Sequence, residues 1–283
     1  MLGKIIKYEF KDTSKICGLI LLVIAVMTLI GALGLILPVK FMSDERNFSN
    51  DLSSGLWIMM LTMTMILYVI MLMGVTYGMM IYQGVHFYKT MYSDEGYLTQ
   101  TLPVTKHQLL IGKTLVAGIW YLLVMICVGI SVVLLVLSLA VALNEGLPSS
   151  SEIMEFRQGM REGLTMMNFR VTRVVISAIL AALITPFSTM LMIFGALTIG
   201  QLSGKYKALM GILAYFGVMI VNMILSNIMQ FIFSFGSIFT ARVVEGSTGV
   251  AGAYDSAIIV GLIMGGGMYF ISHYILTKRL NME

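Results

Sequence analysis

An all-α integral membrane protein with six spanning helices is the fold class this sequence predicts, and three observations predict it. Of 283 residues, 58% are hydrophobic and 11% charged, whereas soluble domains average about 25% charged. The mean hydropathy is +0.93. The apolar residues gather in six long runs, at residues 16–37, 56–81, 115–143, 174–202, 208–235 and 257–276. About 20 helical residues cross about 30 Å of hydrocarbon, and every run reaches that length. The longer runs imply tilt or extension beyond the bilayer. The whole chain is expected to form a single transmembrane domain.

Residues 1–15 come first. On a helix, Lys4, Lys7, Lys11 and Lys15 fall on one stripe, and Leu2, Ile5, Ile6 and Phe10 fall opposite. That pattern predicts an amphipathic helix lying in the headgroup plane, with lysines toward anionic lipid. Glu9 lands among the apolar residues, either at the edge of that helix or against a partner. No cleavable signal is expected, because the following apolar run is too long and lacks a small-residue cleavage site.

Charge placement orients the spans. With both termini inside, the inner segments hold ten of the eleven lysines, and the outer segments hold nine of the fourteen acids. The positive-inside rule then puts both ends in the cytosol. Outside, residues 39–55 form a short polar loop. Residues 144–173 form a longer one, in which Ser149 and Glu152 have capping-box spacing. Ile153, Phe156, Met160, Leu164 and Met167 then recur at helical intervals, which predicts an external helix. Residues 236–256 read as a Gly/Ser-rich connection.

The interiors of the six runs exclude several chemistries. No Asp, Glu, Lys or Arg lies within them, whereas ion-coupled carriers usually keep ionisable groups in the membrane. His86, His107 and His273 are far apart in sequence, and no HExxH, CxxC or Gly-x-Ser-x-Gly pattern occurs. Cys17 and Cys127 sit in apolar runs and read as small buried hydrophobes. Gly112-Lys113-Thr114 looks like the end of a phosphate-binding loop, but the position five before Gly112 is His107 rather than glycine. No cofactor, metal or nucleic-acid partner is expected for this chain. Energy for any vectorial work must come from another polypeptide.

Residues 88–113 are the longest polar interruption on the cytosolic side. Ser93 can cap a short helix with Asp94 and Glu95 in its first turn. Leu102-Pro103 should end it, and Thr105 with Gln108 should cap the helix that leads into the third span. Tyr97, Leu98 and Leu102 are apolar residues on this elbow. They can seat in a partner's groove or lie on the headgroups.

The stretch Ser93 to Leu110, SDEGYLTQTLPVTKHQLL, resembles the cytosolic loop of bacterial type-2 ATP-binding-cassette (ABC) transporter permeases. Phe87-Tyr88-Lys89 before it and the Lys7–Lys11 start, KYEFK, extend the resemblance. It implies that residues 1–15 are an elbow helix and that 88–113 hold the coupling helix. Tyr92, Asp94, Glu95, Tyr97, Leu98 and Leu102 would then contact a separate ATPase subunit, which holds the ATP and Mg. It also implies a second permease copy, identical or paralogous, and a bacterial plasma-membrane location.

Beside that resemblance, the fifth run offers a polar stripe. Asn222, Ser226 and Gln230 recur every four positions, with Asn227 alongside. They either line a substrate path or hydrogen-bond between helices. Pro186 is expected to kink the fourth run, with Thr185 and Ser188 satisfying freed backbone groups. Gly74/Gly78 and Gly261/Gly265 have the spacing of close helix packing. The 26 methionines suit varied apolar cargo or ordinary packing. The expected function is the permease of an ATP-driven exporter, and the resemblance implies an amphipathic or antimicrobial-type peptide as cargo. An ATPase-linked sensor or immunity module without transport, or an ATP-independent carrier or channel, stands as the alternative.

Overall fold

The computed structural model describes residues 2–44, 51–93, 96, 104–143, 151, 154, 158, 170–203, 206–239 and 247–278. Six long helices run through them: α1 (Leu2–Asp44), α2 (Asp51–Tyr92), α3 (Lys106–Leu143), α4 (Arg170–Gly200), α5 (Lys207–Phe239) and α6 (Ser247–Lys278). All six are long and apolar enough to cross a membrane, and no strand occurs among the described residues. The chain is therefore an all-helical, multi-pass membrane protein.

One expectation is corrected at the start. No separate helix occupies residues 1–15: α1 runs unbroken for 43 residues. No glycine or proline lies between Gly3 and Gly18, so nothing in the backbone forces a break there. At 1.5 Å per residue α1 is about 65 Å long, roughly twice the hydrocarbon thickness.

Several hydroxyl groups inside the apolar helices satisfy themselves locally. Thr28 donates to the Ile24 carbonyl at 2.7 Å, Thr76 to Leu72 at 2.8 Å, Thr114 to Leu110 at 2.8 Å and Thr198 to Phe194 at 2.7 Å. Each bond reaches back four residues, so a polar side chain enters hydrocarbon without an unpaired donor.

The chain divides into two compact units. The first gathers Met1–Thr13, Met80–Leu122 and Met167–Glu283; the second gathers Ser14–Met79 and Leu123–Met166. In the first unit α4, α5 and α6 pack against one another. Met192, Ala196 and Met268 form a buried cluster, flanked by Ile199, Ala214, Tyr215, Val218 and Met264. The α4–α5 turn is tight because two glycines meet there: a Cβ on Gly200 would lie 2.4 Å from the Gly211 Cα. Beside Pro186, Thr185 donates to the Ala181 carbonyl at 2.7 Å. Ser188 does not serve its own helix; it donates to the Gly261 carbonyl of α6 at 2.8 Å. A Cβ on Gly265 would lie 3.3 Å from the Ser188 Cα, so Gly261 and Gly265 are where α6 approaches α4.

In the second unit, Leu35, Tyr68, Leu72 and Leu135 form a core. The Thr28 and Ser131 hydroxyls are hydrogen-bonded at 2.8 Å, and Tyr68 bonds to the same Ser131 hydroxyl. Cys17 is fully buried, with its thiol 4.0 Å from the Met79 sulfur; Cys127 is half-buried. Gly74 and Gly78 depart from expectation. A Cβ added at either would meet no heavy atom within 4 Å, so among the described residues this pair mediates no packing within its unit. Of the expected external helix, Ser151, Met154 and Gln158 are described; each is helical and exposed. Ile153, Phe156, Met160, Leu164 and Met167 lie outside the described residues.

Candidate functional site

The polar segment between α2 and α3 is bracketed by a buried ion cluster. Glu9 of α1, His86 and Thr90 of α2, and Lys113 of α3 come together in the first unit. His86 Nε2 lies 2.8 Å from Glu9 Oε1. The Lys113 ammonium donates to Glu9 Oε1 at 2.9 Å, to Glu9 Oε2 at 3.0 Å and to the Thr90 hydroxyl at 2.8 Å. An ammonium has three donors, so Lys113 is fully satisfied. Thr90 in turn donates to the His86 carbonyl at 2.8 Å. The Lys113 side chain is 4% exposed, Glu9 15% and His86 14%.

Burial on that scale is tolerable only with such pairing, because an isolated buried charge costs several kcal/mol, on the order of its lost hydration. Asp12, at 3.9 Å from His86, is largely exposed and adds little. Gln83, Phe87, Val116, Ala117 and Phe194 close around the charges and leave no room for a bound molecule. The cluster is thus a brace between three helices rather than a binding pocket.

Aromatic contacts extend the brace. Phe10 stacks on Trp120 with ring centres 4.6 Å apart. Phe87 stacks on Phe194 at 4.0 Å and meets Tyr92 edge-on at 5.8 Å. The Tyr92 hydroxyl lies 2.7 Å from that of Thr198 on α4. Of the residues expected to contact an ATPase, Tyr92 is therefore engaged within its own chain. Asp94, Glu95, Tyr97, Leu98 and Leu102 lie outside the described residues.

The ends of the polar segment are closed by local hydrogen bonds. The Ser93 hydroxyl donates back to the Lys89 carbonyl and finishes α2; the Asp94 and Glu95 it is expected to cap lie outside the described residues. Gly96 N–H donates to the Ser93 carbonyl at 2.7 Å, and a Cβ on Gly96 would meet the Met91 carbonyl carbon at 2.5 Å. Only glycine fits that turn. At the far end Thr105 caps α3 as its spacing predicts, its hydroxyl accepting from Gln108 N–H at 3.3 Å. Lys106 reaches across to the Leu276 carbonyl of α6 at 2.5 Å.

The α5 stripe is placed differently. Asn222 and Ser226 are half-buried, and Gln230 and Asn227 are exposed. Asn227 donates back to the Met223 carbonyl at 2.8 Å. None of Asn222, Ser226 and Gln230 makes a side-chain hydrogen bond among the described residues, so the stripe does not join helices of this chain there.

Sequence reasoning misses the cluster. Glu9 stands out only as a misfit, and Lys113 only as part of a false phosphate loop. Both fall just outside the apolar runs, yet they lie within continuous helices. The one available signal is the pairing of a misplaced acid with a misplaced base. No group of three His, Cys, Asp or Glu side chains suited to a metal gathers among the described residues. Comparisons with family models, with curated proteins and with solved structures find no match.

Proposed function

We propose that this chain is the membrane-spanning permease subunit of an ATP-driven exporter in a bacterial plasma membrane, with both termini cytosolic. The observation that carries the proposal is the brace of Glu9, His86, Thr90 and Lys113 beside both ends of the polar segment. A push received at residues 94–103 passes into α2 and α3, which are locked to α1 by buried charge pairs. Such a segment acts as a lever only if its flanks move together.

The ATPase, holding ATP and Mg, is a separate subunit that grips Asp94, Glu95, Tyr97, Leu98 and Leu102. Tyr92 positions the lever from inside. A second permease copy completes the path. Asn222, Ser226 and Gln230 support it, because polar side chains without partners among the described residues avoid lipid and face protein or water. The methionine-rich, apolar character suits an amphipathic cargo, and the resemblance of residues 93–110 to type-2 ABC permeases suggests an antimicrobial-type peptide.

Co-purification with the candidate ATPase tests the lever. Tyr97→Glu with Leu98→Glu should abolish complex formation while the permease still elutes as a folded species. Retention of the complex by that double variant would refute the assigned grip.

The buried cluster favours one second reading, an ATP-independent carrier coupled to protons, since ionisable groups within membrane helices often carry such coupling. Uptake into proteoliposomes driven by a pH gradient without any ATPase would favour it over the exporter.

A further inference from the structure

A different cluster lies at the foot of α3 and the end of α6. We propose that His107 and His273 form a binding site for a divalent transition-metal ion of the zinc class, with Tyr269 as the residue that orients His107.

The geometry fits a shared ion. The two imidazole rings lie 5.9 Å apart between centres, with planes at 88°. Two imidazoles sharing one ion at the usual metal–nitrogen distance of about 2.0–2.1 Å have ring centres about 5–6 Å apart. The Tyr269 hydroxyl is hydrogen-bonded to His107 Nδ1. With Nδ1–H donating to that oxygen, Nε2 is left as a lone-pair donor. A partner on the second nitrogen is the usual support of a metal-bound histidine. Tyr269 and His273 are one turn apart on α6, and their rings stack at 6.3 Å with planes at 21°, which holds both in place. No hydrogen bond engages the ring of His273 among the described residues.

The two helices are pinned independently of these side chains. Lys106, next to His107, donates to the Leu276 carbonyl, three residues beyond His273. The site therefore does not have to be assembled by the ion. His107 is exposed, which leaves the remaining positions of a tetrahedral ion open to small ligands such as water. Two nitrogen donors, with no carboxylate beside them among the described residues, favour zinc, cobalt or nickel over magnesium and calcium, which take oxygen ligands. An ion there staples the first turn of α3, which directly follows the polar segment, to the last turns of α6. The site does not depend on the exporter assignment.

The test is Zn²⁺ and Co²⁺ titration of the full-length protein in detergent, freed of any histidine tag. Calorimetry should show saturable Zn²⁺ binding, and Co²⁺ should give the visible absorption of a tetrahedral nitrogen-ligated ion. His107→Gln and His273→Gln should each weaken binding about tenfold or more, and Tyr269→Phe by about tenfold. Excess Mg²⁺ should not compete. His107→Cys should restore binding, because a thiolate is also a zinc ligand; that arm separates loss of a ligand from loss of the fold. No saturable Zn²⁺ binding by the unaltered protein, or binding unchanged in His273→Gln, would overturn the proposal.

Discussion

Lys113 and Glu9 show how much one pair of side chains decides in an apolar protein. Removing one partner of a buried ion pair typically costs about 3–5 kcal/mol, because the other charge is left unpaired, whereas replacing both can be nearly neutral. Among the described residues Lys113 has no other anionic acceptor, since its third bond goes to Thr90, while Glu9 retains His86. We predict that Glu9→Leu destabilises more than Lys113→Met. We also predict that the double variant recovers a large part of the loss. Thermal melts of the four proteins in one detergent check this as a double-mutant cycle; strict additivity would show that the two side chains do not interact. The cluster is illegible in the sequence because its members are 104 and 77 residues apart, and neither helical periodicity nor a local motif links them.

At the scale of elements, the apolar runs foretell each of the six long helices, and the helix ends are what they leave open. Hydrophobic periodicity says where lipid-compatible surface begins, not where the backbone stops being helical. α1 therefore extends back to Leu2 and α2 on to Tyr92, beyond the runs that announce them. The cap at Thr105 is legible because its chemistry is local. The role of Ser93 is not, because a serine between two helices can close one or open the next. Small-residue spacing is equally ambiguous. Gly261 and Gly265 meet α4, whereas Gly74 and Gly78 meet nothing within their unit among the described residues. A leucine at 265 would have to displace the Ser188 backbone rather than a flexible side chain. We predict that Gly265→Leu separates α4 from α6 and lowers the melting temperature by several degrees, while Gly78→Leu leaves it within a degree or two. Equal effects at the two positions would contradict the observed packing.

For the whole molecule, the class and the six spans are readable because so few charges can be arranged in so few ways. Eleven lysines and seven arginines in 283 residues leave little freedom once six spans are drawn. Function is less constrained. A brace, a lever and a polar stripe fit an exporter driven from outside the chain, and that account makes a simple prediction. Reconstituted alone, the polypeptide should move no peptide against a gradient; with its ATPase and ATP, transport should appear and should stop in the Tyr97→Glu, Leu98→Glu variant. Uphill accumulation by the chain alone, read as tracer uptake into sealed vesicles, would remove the need for a motor.

The stack of Phe10 on Trp120 has a practical corollary. The chain contains two tryptophans, so Trp57→Phe leaves a single fluorophore whose indole face is covered by the N-terminal turns. Any loosening of those turns would redden and dim its emission, giving an optical readout of their movement without a dye.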